Sequence, residues 1–312
     1  MKKLKSLILV AISVISMATF VACGNTSKED NKESVKRVVS TLKGDIEVPT
    51  NPQRIVDISG SSEDLIILGY TPVGTANIDS YDTTKVPSYM SDKFKETKVV
   101  GHSMMETMDM EAILSCNPDL IIMSERQEKI YDQLKDIAPT IMIKDYANDW
   151  RSRLTDIGKL FEKEDIANTW LSNYDKKAEE LGKEVIAKNA KETYLPVLAS
   201  QGSFLVFTDA GIGSILYDDM KLSRPENMPK QDNITLPQVT MEGLTKIDAD
   251  NIVVIADESN KKDLDKSNVW SQIRAVKNGN VVMLNTSPYF TQVYNPIGKE
   301  LILESIKEEL LK

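Results

Sequence analysis

Histidine and cysteine are nearly absent from this 312-residue chain, which has one His and two Cys. A lone imidazole, His102, with no Ser/His/Asp set and no reactive thiol near it in a recognisable motif, argues against hydrolytic chemistry. No Cys/His cluster suits a resident metal, and no Gly-rich loop suits a phosphate. The expectation is a protein that is not an enzyme and has no intrinsic cofactor. Positive charge is also scarce: 38 basic residues face 47 acidic ones, a net charge of −9, and only seven of the basic residues are Arg. That balance disfavours nucleic acid and anionic lipid as partners. Beyond the first two dozen residues no apolar run approaches the ~20 residues of a membrane span.

The N-terminus does carry such a run, and it reads as an address. Lys2, Lys3 and Lys5 precede the apolar stretch Leu7 to Val21, which stops at small residues around Cys23. This is a secretory signal over residues 1–22, with cleavage before Cys23. Phe20-Val21-Ala22-Cys23 resembles a bacterial lipobox, although Leu is usual where Phe20 stands. The resemblance implies that Cys23 is lipidated and becomes the mature N-terminus. Cys116 then has no partner for an internal disulfide. Loss of the three lysines moves the net charge to about −12. Residues 23–35 are polar and charged, with too little apolar surface to order themselves, and are expected to form a flexible tether. The predicted location is the outer face of the cell membrane, held through the N-terminal lipid.

Two stretches in the remainder are copies of one another, offset by 131 residues without gaps. Met110-Glu111-Ala112-Ile113-Leu114 leads through Asn117-Pro118-Asp119 into Leu120-Ile121-Ile122. Met241-Glu242-Gly243-Leu244 leads through Asp248-Ala249-Asp250 into Ile252-Val253. Each reads as a short helix, a tight turn and a buried strand. A period this long predicts two similar lobes and not a solenoid.

Taken in order, residues 38–48 read as a hairpin around Lys43-Gly44-Asp45. Strand, helix and strand then alternate to about Ile143, which predicts a parallel sheet. From Trp150 to Lys188 no strand pattern occurs. Ile166, Trp170, Tyr174, Ala178, Leu181 and Val185 mark one helix of roughly 25 residues, about 37 Å long. Alternation returns after Asn189, and Pro296 to Leu311 closes the chain as an amphipathic helix. The domain expectation is an N-terminal α/β lobe over 36–149, a helical connector over 150–190 and a C-terminal α/β lobe over 191–312. Gln127 to Ile137 is expected as one helix, and the aromatic stretch Ser287 to Tyr294 as a loop.

The chain resembles the substrate-binding lipoproteins of bacterial ABC importers for iron–siderophore complexes, haem and cobalamin. The resemblance rests on Asn51-Pro52-Gln53-Arg54-Ile55-Val56, Glu63-Asp64-Leu65 and Leu68-Gly69-Tyr70-Thr71-Pro72-Val73-Gly74. Asn117-Pro118-Asp119-Leu120-Ile121-Ile122 and Trp270 to Val281 complete it. It implies two Rossmann-like α/β lobes joined by a single long α-helix, with the ligand in the cleft between them. It implies a ferric siderophore as ligand, its iron held by the siderophore and not by the protein. It implies a permease dimer with a cytoplasmic ATPase as partner, and the binding protein itself is expected to be a monomer. It further implies that Glu111 and Glu242, one per lobe, dock onto arginines of the importer.

In such folds, ligands sit beyond the strand C-termini. Arg126 follows a strand directly, and relatives that bind siderophores often carry Arg there; its fork suits a carboxylate, hydroxamate or catecholate oxygen. Arg151 and Arg224 are further candidate cations. Trp150, Tyr289, Phe290 and Tyr294 are candidate aromatic surface, and His102 and Met104 candidate pocket wall. Haem-binding relatives carry an axial Met near 101–105 and a His in the second lobe; this chain has no His after His102, which disfavours haem. The small number of Arg residues favours a hydroxamate or citrate–hydroxamate ligand over a triscatecholate.

Overall fold

The structure, a computed structural model, describes residues 35–189, 191–231 and 235–312. The signal, Cys23 and the tether lie outside the described residues. An antiparallel hairpin opens the fold: β1 (Lys36–Thr41) pairs with β2 (Gly44–Pro49), and Gly44 turns it at φ +95°. The N-terminal lobe follows as β3 (Ile55–Asp57), α1 (Ser62–Ile67), β4 (Gly74–Thr75), β5 (Lys98–Val99), α2 (Met110–Ser115), β6 (Leu120–Ser124), α3 (Tyr131–Lys135) and β7 (Thr140–Ile143). Its five strands are all parallel, in the order β5-β4-β3-β6-β7. Every residue of β3, β6 and β7 is buried, as expected of a sheet covered on both faces.

Two helices carry the chain across, α4 (Trp150–Leu160) and α5 (Glu164–Lys188). The α5 helix has the 25 residues that its apolar spacing indicated. Ala167 near its start packs into the core of the first lobe. Tyr174, Ala178, Leu181 and Val185 pack into the core of the second. One rigid helix thus contributes to both cores, and each fully buried aliphatic side chain is worth about 1.5–3 kcal/mol.

The second lobe comprises β8 (Tyr194–Ser200), β9 (Ser203–Val206), α6 (Gly211–Ser214), β10 (Gln238–Thr240), α7 (Met241–Ile247), β11 (Asn251–Ala256), α8 (Glu258–Lys266), α9 (Arg274–Lys277), β12 (Val281–Asn285), α10 (Thr286–Gln292) and α11 (Pro296–Leu310). The strand order is β10-β9-β8-β11-β12. This sheet is mixed and not purely parallel. The Gln201-Gly202 turn is too short for a crossover, so β9 doubles back antiparallel on β8, and β10 pairs antiparallel with β9.

The repeat survives in three dimensions. Asn117 and Asp248 are both left-handed, at φ +46° and +49°, and β6 and β11 begin three residues after each. Asp119 accepts from the backbone N–H of Gln53 (2.7 Å) and Arg54 (2.9 Å), fixing the chain just before β3. Asp250 accepts from the N–H of Thr193 (2.9 Å), fixing the chain just before β8. The two acids therefore do the same work in each lobe: each locks the turn of its repeat to the neighbouring strand.

Two local expectations are corrected, and a third segment has an unusual form. Residues 125–130 form a 3-10 helix before α3, because the Ser124 and Gln127 side chains cap that turn reciprocally. The helix from Gly211 widens into a π segment over Ile215–Asp219. The aromatic stretch at 287–294 is mostly α10, whose N-cap is Asn285.

The residue that follows the π segment makes a tight contact. A Cβ on Gly182 of α5 would lie 1.9 Å from the carbonyl oxygen of Met220. Gly182→Ala is expected to cost about 1–3 kcal/mol through overpacking. Thermal unfolding should show a Tm lower by roughly 2–10 °C; an unchanged Tm would contradict this close packing.

Candidate functional site

Asp57, at the end of β3, organises the first wall of the site. Its carboxylate accepts from the hydroxyls of Ser59 (2.6 Å), Ser61 (3.1 Å) and Ser62 (2.6 Å) and from the Ser59 N–H (3.0 Å). These bonds curl residues 59–62 into a turn, with Gly60 at φ +86°. Gln127 fixes the second wall, donating from Nε2 to the carbonyls of Ser103 (2.9 Å) and Met105 (3.0 Å). That holds the loop bearing His102 and Met104 against the end of β6. The third wall is the segment after β7, Lys144 to Asn148, and the fourth is α10 of the second lobe.

These walls enclose a cavity of about 310 Å³ between the lobes. Of the residues proposed from sequence, Arg126, His102, Met104, Phe290 and Tyr294 line it. Trp150 and Arg151 line a neighbouring cavity of about 540 Å³ against α5. Trp150 is only 5 % exposed and packs edge-on against Trp170 and Tyr174. Arg151 is paired with Asp175 and with Asp219 (3.0 Å). Six acids line that second cavity against two cations, so its field is unsuited to an anionic ligand. Arg224 and Tyr289 line neither cavity. Arg224 pairs with Asp209 (2.7 Å) and Asp218 (3.4 Å), and Tyr289 packs against the second core.

Sequence reasoning placed the loop from Tyr146 to Arg151 at the ligand but did not single out Asn77, Asp145 or Arg153; Tyr146 and these three line the central cavity. Asn77 is 4 % exposed, and its amide Nδ2 is one of three buried side-chain polar atoms without a hydrogen-bond partner among the described residues. A buried donor at a cavity wall suits a ligand oxygen.

The cations at the cavity are all matched. Arg126 pairs with Asp145 at 2.5 Å, Arg153 with Asp64 at 2.9 Å, and Lys144 with Asp156 at 4.0 Å. His102 is pushed below the usual imidazole range by partial burial, so it is neutral at neutral pH. Its Nδ1 accepts the Met104 N–H at 3.1 Å. No group of three or more potential metal ligands occurs among the described residues.

Behind the cavity lies a buried junction between the lobes. Glu63 of α1 accepts from the Gly298 N–H (3.0 Å) in the first turn of α11 and from the Tyr89 hydroxyl (2.5 Å). The Asn295 N-cap gives α11 no side-chain cap of its own. The carboxylate from the other lobe therefore occupies the positive end of this helix. Asp64 holds Arg153, whose Nη2 also reaches Asn295 at 3.5 Å.

A family model described as periplasmic binding protein matches residues 58–288. The chain belongs to the periplasmic binding protein family. This binding protein is 31 % identical over 300 residues to the Bacillus subtilis protein named probable siderophore-binding lipoprotein YfiY, covering 90 % of each chain. It is 30 % identical over 302 residues to the Fe(3+)-citrate-binding protein YfmC of the same organism, again covering 90 % of each. In fold it matches Staphylococcus aureus SirA complexed with staphyloferrin B, with a TM-score of 0.71 at 24 % identity over 88 % of this chain and 98 % of that one. The two-lobe α/β architecture implied by the sequence is thus that of the family.

The buried junction carries a pH signature. Burial pushes Glu63 up to about 7 and Asp64 up to about 6, from ordinary values of 4.5 and 3.8. Between about pH 4 and 7 the folded state therefore holds protons that the unfolded chain has released. The stability contributed by these groups is full in acid and falls as pH rises through that window. The drop in Tm from pH 5 to pH 8 should be smaller in Glu63→Gln than in the unaltered protein; equal drops would contradict the assignment.

Proposed function

We propose that this binding protein captures a ferric siderophore outside the membrane and delivers it to an ABC importer for iron uptake. The observation that carries the reading is the central cavity itself. It lies between two lobes at the ends of β3, β6 and β7, and it combines aromatic surface (Tyr146, Phe290, Tyr294) with the buried Asn77 donor and the Arg126 fork. Oxygen-rich ferric complexes with an apolar rim need this combination. The names of the similar B. subtilis proteins support the same ligand class. A hydroxamate or citrate–hydroxamate ligand fits best, since few cations face the cavity. Haem is the second reading, favoured only by His102 and Met104 lining the same cavity.

Delivery is assigned to the repeat helices. Glu111 and Glu242 are exposed at the first turns of α2 and α7, and their carboxylates have no ion-pair or hydrogen-bond partner among the described residues. Acids so exposed contribute little to the fold, and one per lobe suits docking onto arginines of a permease dimer coupled to a cytoplasmic ATPase. The protein acts as a monomer anchored through lipid on Cys23.

Two measurements test these assignments. Tryptophan fluorescence should be quenched by ferric hydroxamate or citrate–hydroxamate complexes in a panel that includes ferric catecholates, haemin and cobalamin. Quenching by haemin alone would overturn the siderophore reading. Glu111→Ala combined with Glu242→Ala should abolish uptake while leaving ligand affinity within about twofold; loss of affinity in the double variant would refute the docking role.

A further inference from the structure

Asp145 stands where a carboxylate is least expected in a site for anionic ligands. It lines the central cavity, follows β7 by two residues and holds the guanidinium of Arg126 at 2.5 Å. Its position is fixed from three directions. Its Oδ1 accepts the Ala147 N–H at 3.1 Å, its own N–H donates to Glu125 at 3.0 Å, and Ala147 turns the chain at φ +48°. The other two cations at the cavity are already matched by Asp64 and Asp156. The site as built therefore presents no uncompensated positive charge.

We infer that Asp145 is a specificity-determining residue that sets the net charge of the accepted ferric complex near zero. This rests on the siderophore reading above. Three singly charged hydroxamates cancel the charge of ferric iron and give a neutral complex. Three doubly charged catecholates leave a net charge of minus three. A neutral complex can take a hydrogen bond from Arg126 without displacing Asp145. A trianionic one meets Asp145 as a like charge in a partly desolvated site, where such repulsion is strong. A pendant ammonium on the ligand would find its counter-ion in the same carboxylate.

The test compares a neutral ferric trihydroxamate with a ferric triscatecholate by fluorescence quenching, using the unaltered protein, Asp145→Asn and Arg126→Gln. Asparagine keeps the acceptor for the Ala147 N–H and removes the charge. The neutral complex should bind the unaltered protein more tightly. Asp145→Asn should shift the affinity ratio at least tenfold toward the trianionic complex, and Arg126→Gln should shift it the other way. A purely structural role would move both affinities together and leave the ratio unchanged, which would overturn the inference while the siderophore reading stands. Tighter binding of the triscatecholate by the unaltered protein would also overturn it. Failure of both complexes to bind the unaltered protein would sink both readings.

Discussion

Two carboxylates, Glu63 and Asp64, sit fully inside the molecule at the start of a six-residue helix, and the relation between the lobes depends on them. Burying a charge costs several kcal/mol unless it is paired and hydrogen-bonded. Each carboxylate finds its partners across the molecule. Glu63 takes the first turn of α11 in the opposite lobe, and Asp64 takes Arg153 at the start of the connector. Removing either partner would leave a buried carboxyl group unsatisfied, so the lobes, α4 and α11 are held in one arrangement. Arg153 and Asn295 both line the central cavity, so the same junction also forms part of its wall.

The cavity follows the electrostatic logic of the junction. Among the described residues no cation at the cavity is left to wait for a ligand; Arg126, Lys144 and Arg153 each face a carboxylate. On the proposed reading, affinity comes from aromatic contact, from directed donors such as Asn77 and from exclusion of water, with charge contributing selectivity. The second contact between lobes closes the same cavity from another side. Ser287 donates to Asp79 at 2.7 Å, the Ser80 N–H donates to Thr291 at 3.2 Å, and Tyr81 meets Phe290 edge-on.

Much of the architecture was legible in the sequence because it rests on short-range regularities. The 131-residue repeat located α2–β6 and α7–β11, and the tight turns it implied are those of Asn117 and Asp248. The apolar spacing located α5 at its full length. What was not legible depends on partners distant in the chain. Glu63 looked like an ordinary acid in a first helical turn, and only Gly298, 235 residues away, makes it a buried cap. Asp145 looked like a loop acid until Arg126 turned toward it. Trp150 and Arg151 offered an aromatic face and a cation, yet they face a different cavity because α4 aims them at α5. The 287–294 stretch read as a loop because Pro288 and three aromatics mask a helical turn.

The account makes one central claim: the cavity between the lobes is electrically matched and binds a ferric complex of near-zero charge. The most direct measurement is the salt dependence of affinity for a ferric citrate–hydroxamate complex that keeps a residual negative charge, titrated from about 50 to about 500 mM NaCl, where the screening length falls several-fold. The account predicts a Kd constant to within about twofold. A Kd that weakens tenfold or more across that range would show that an uncompensated charge drives binding, and would contradict it.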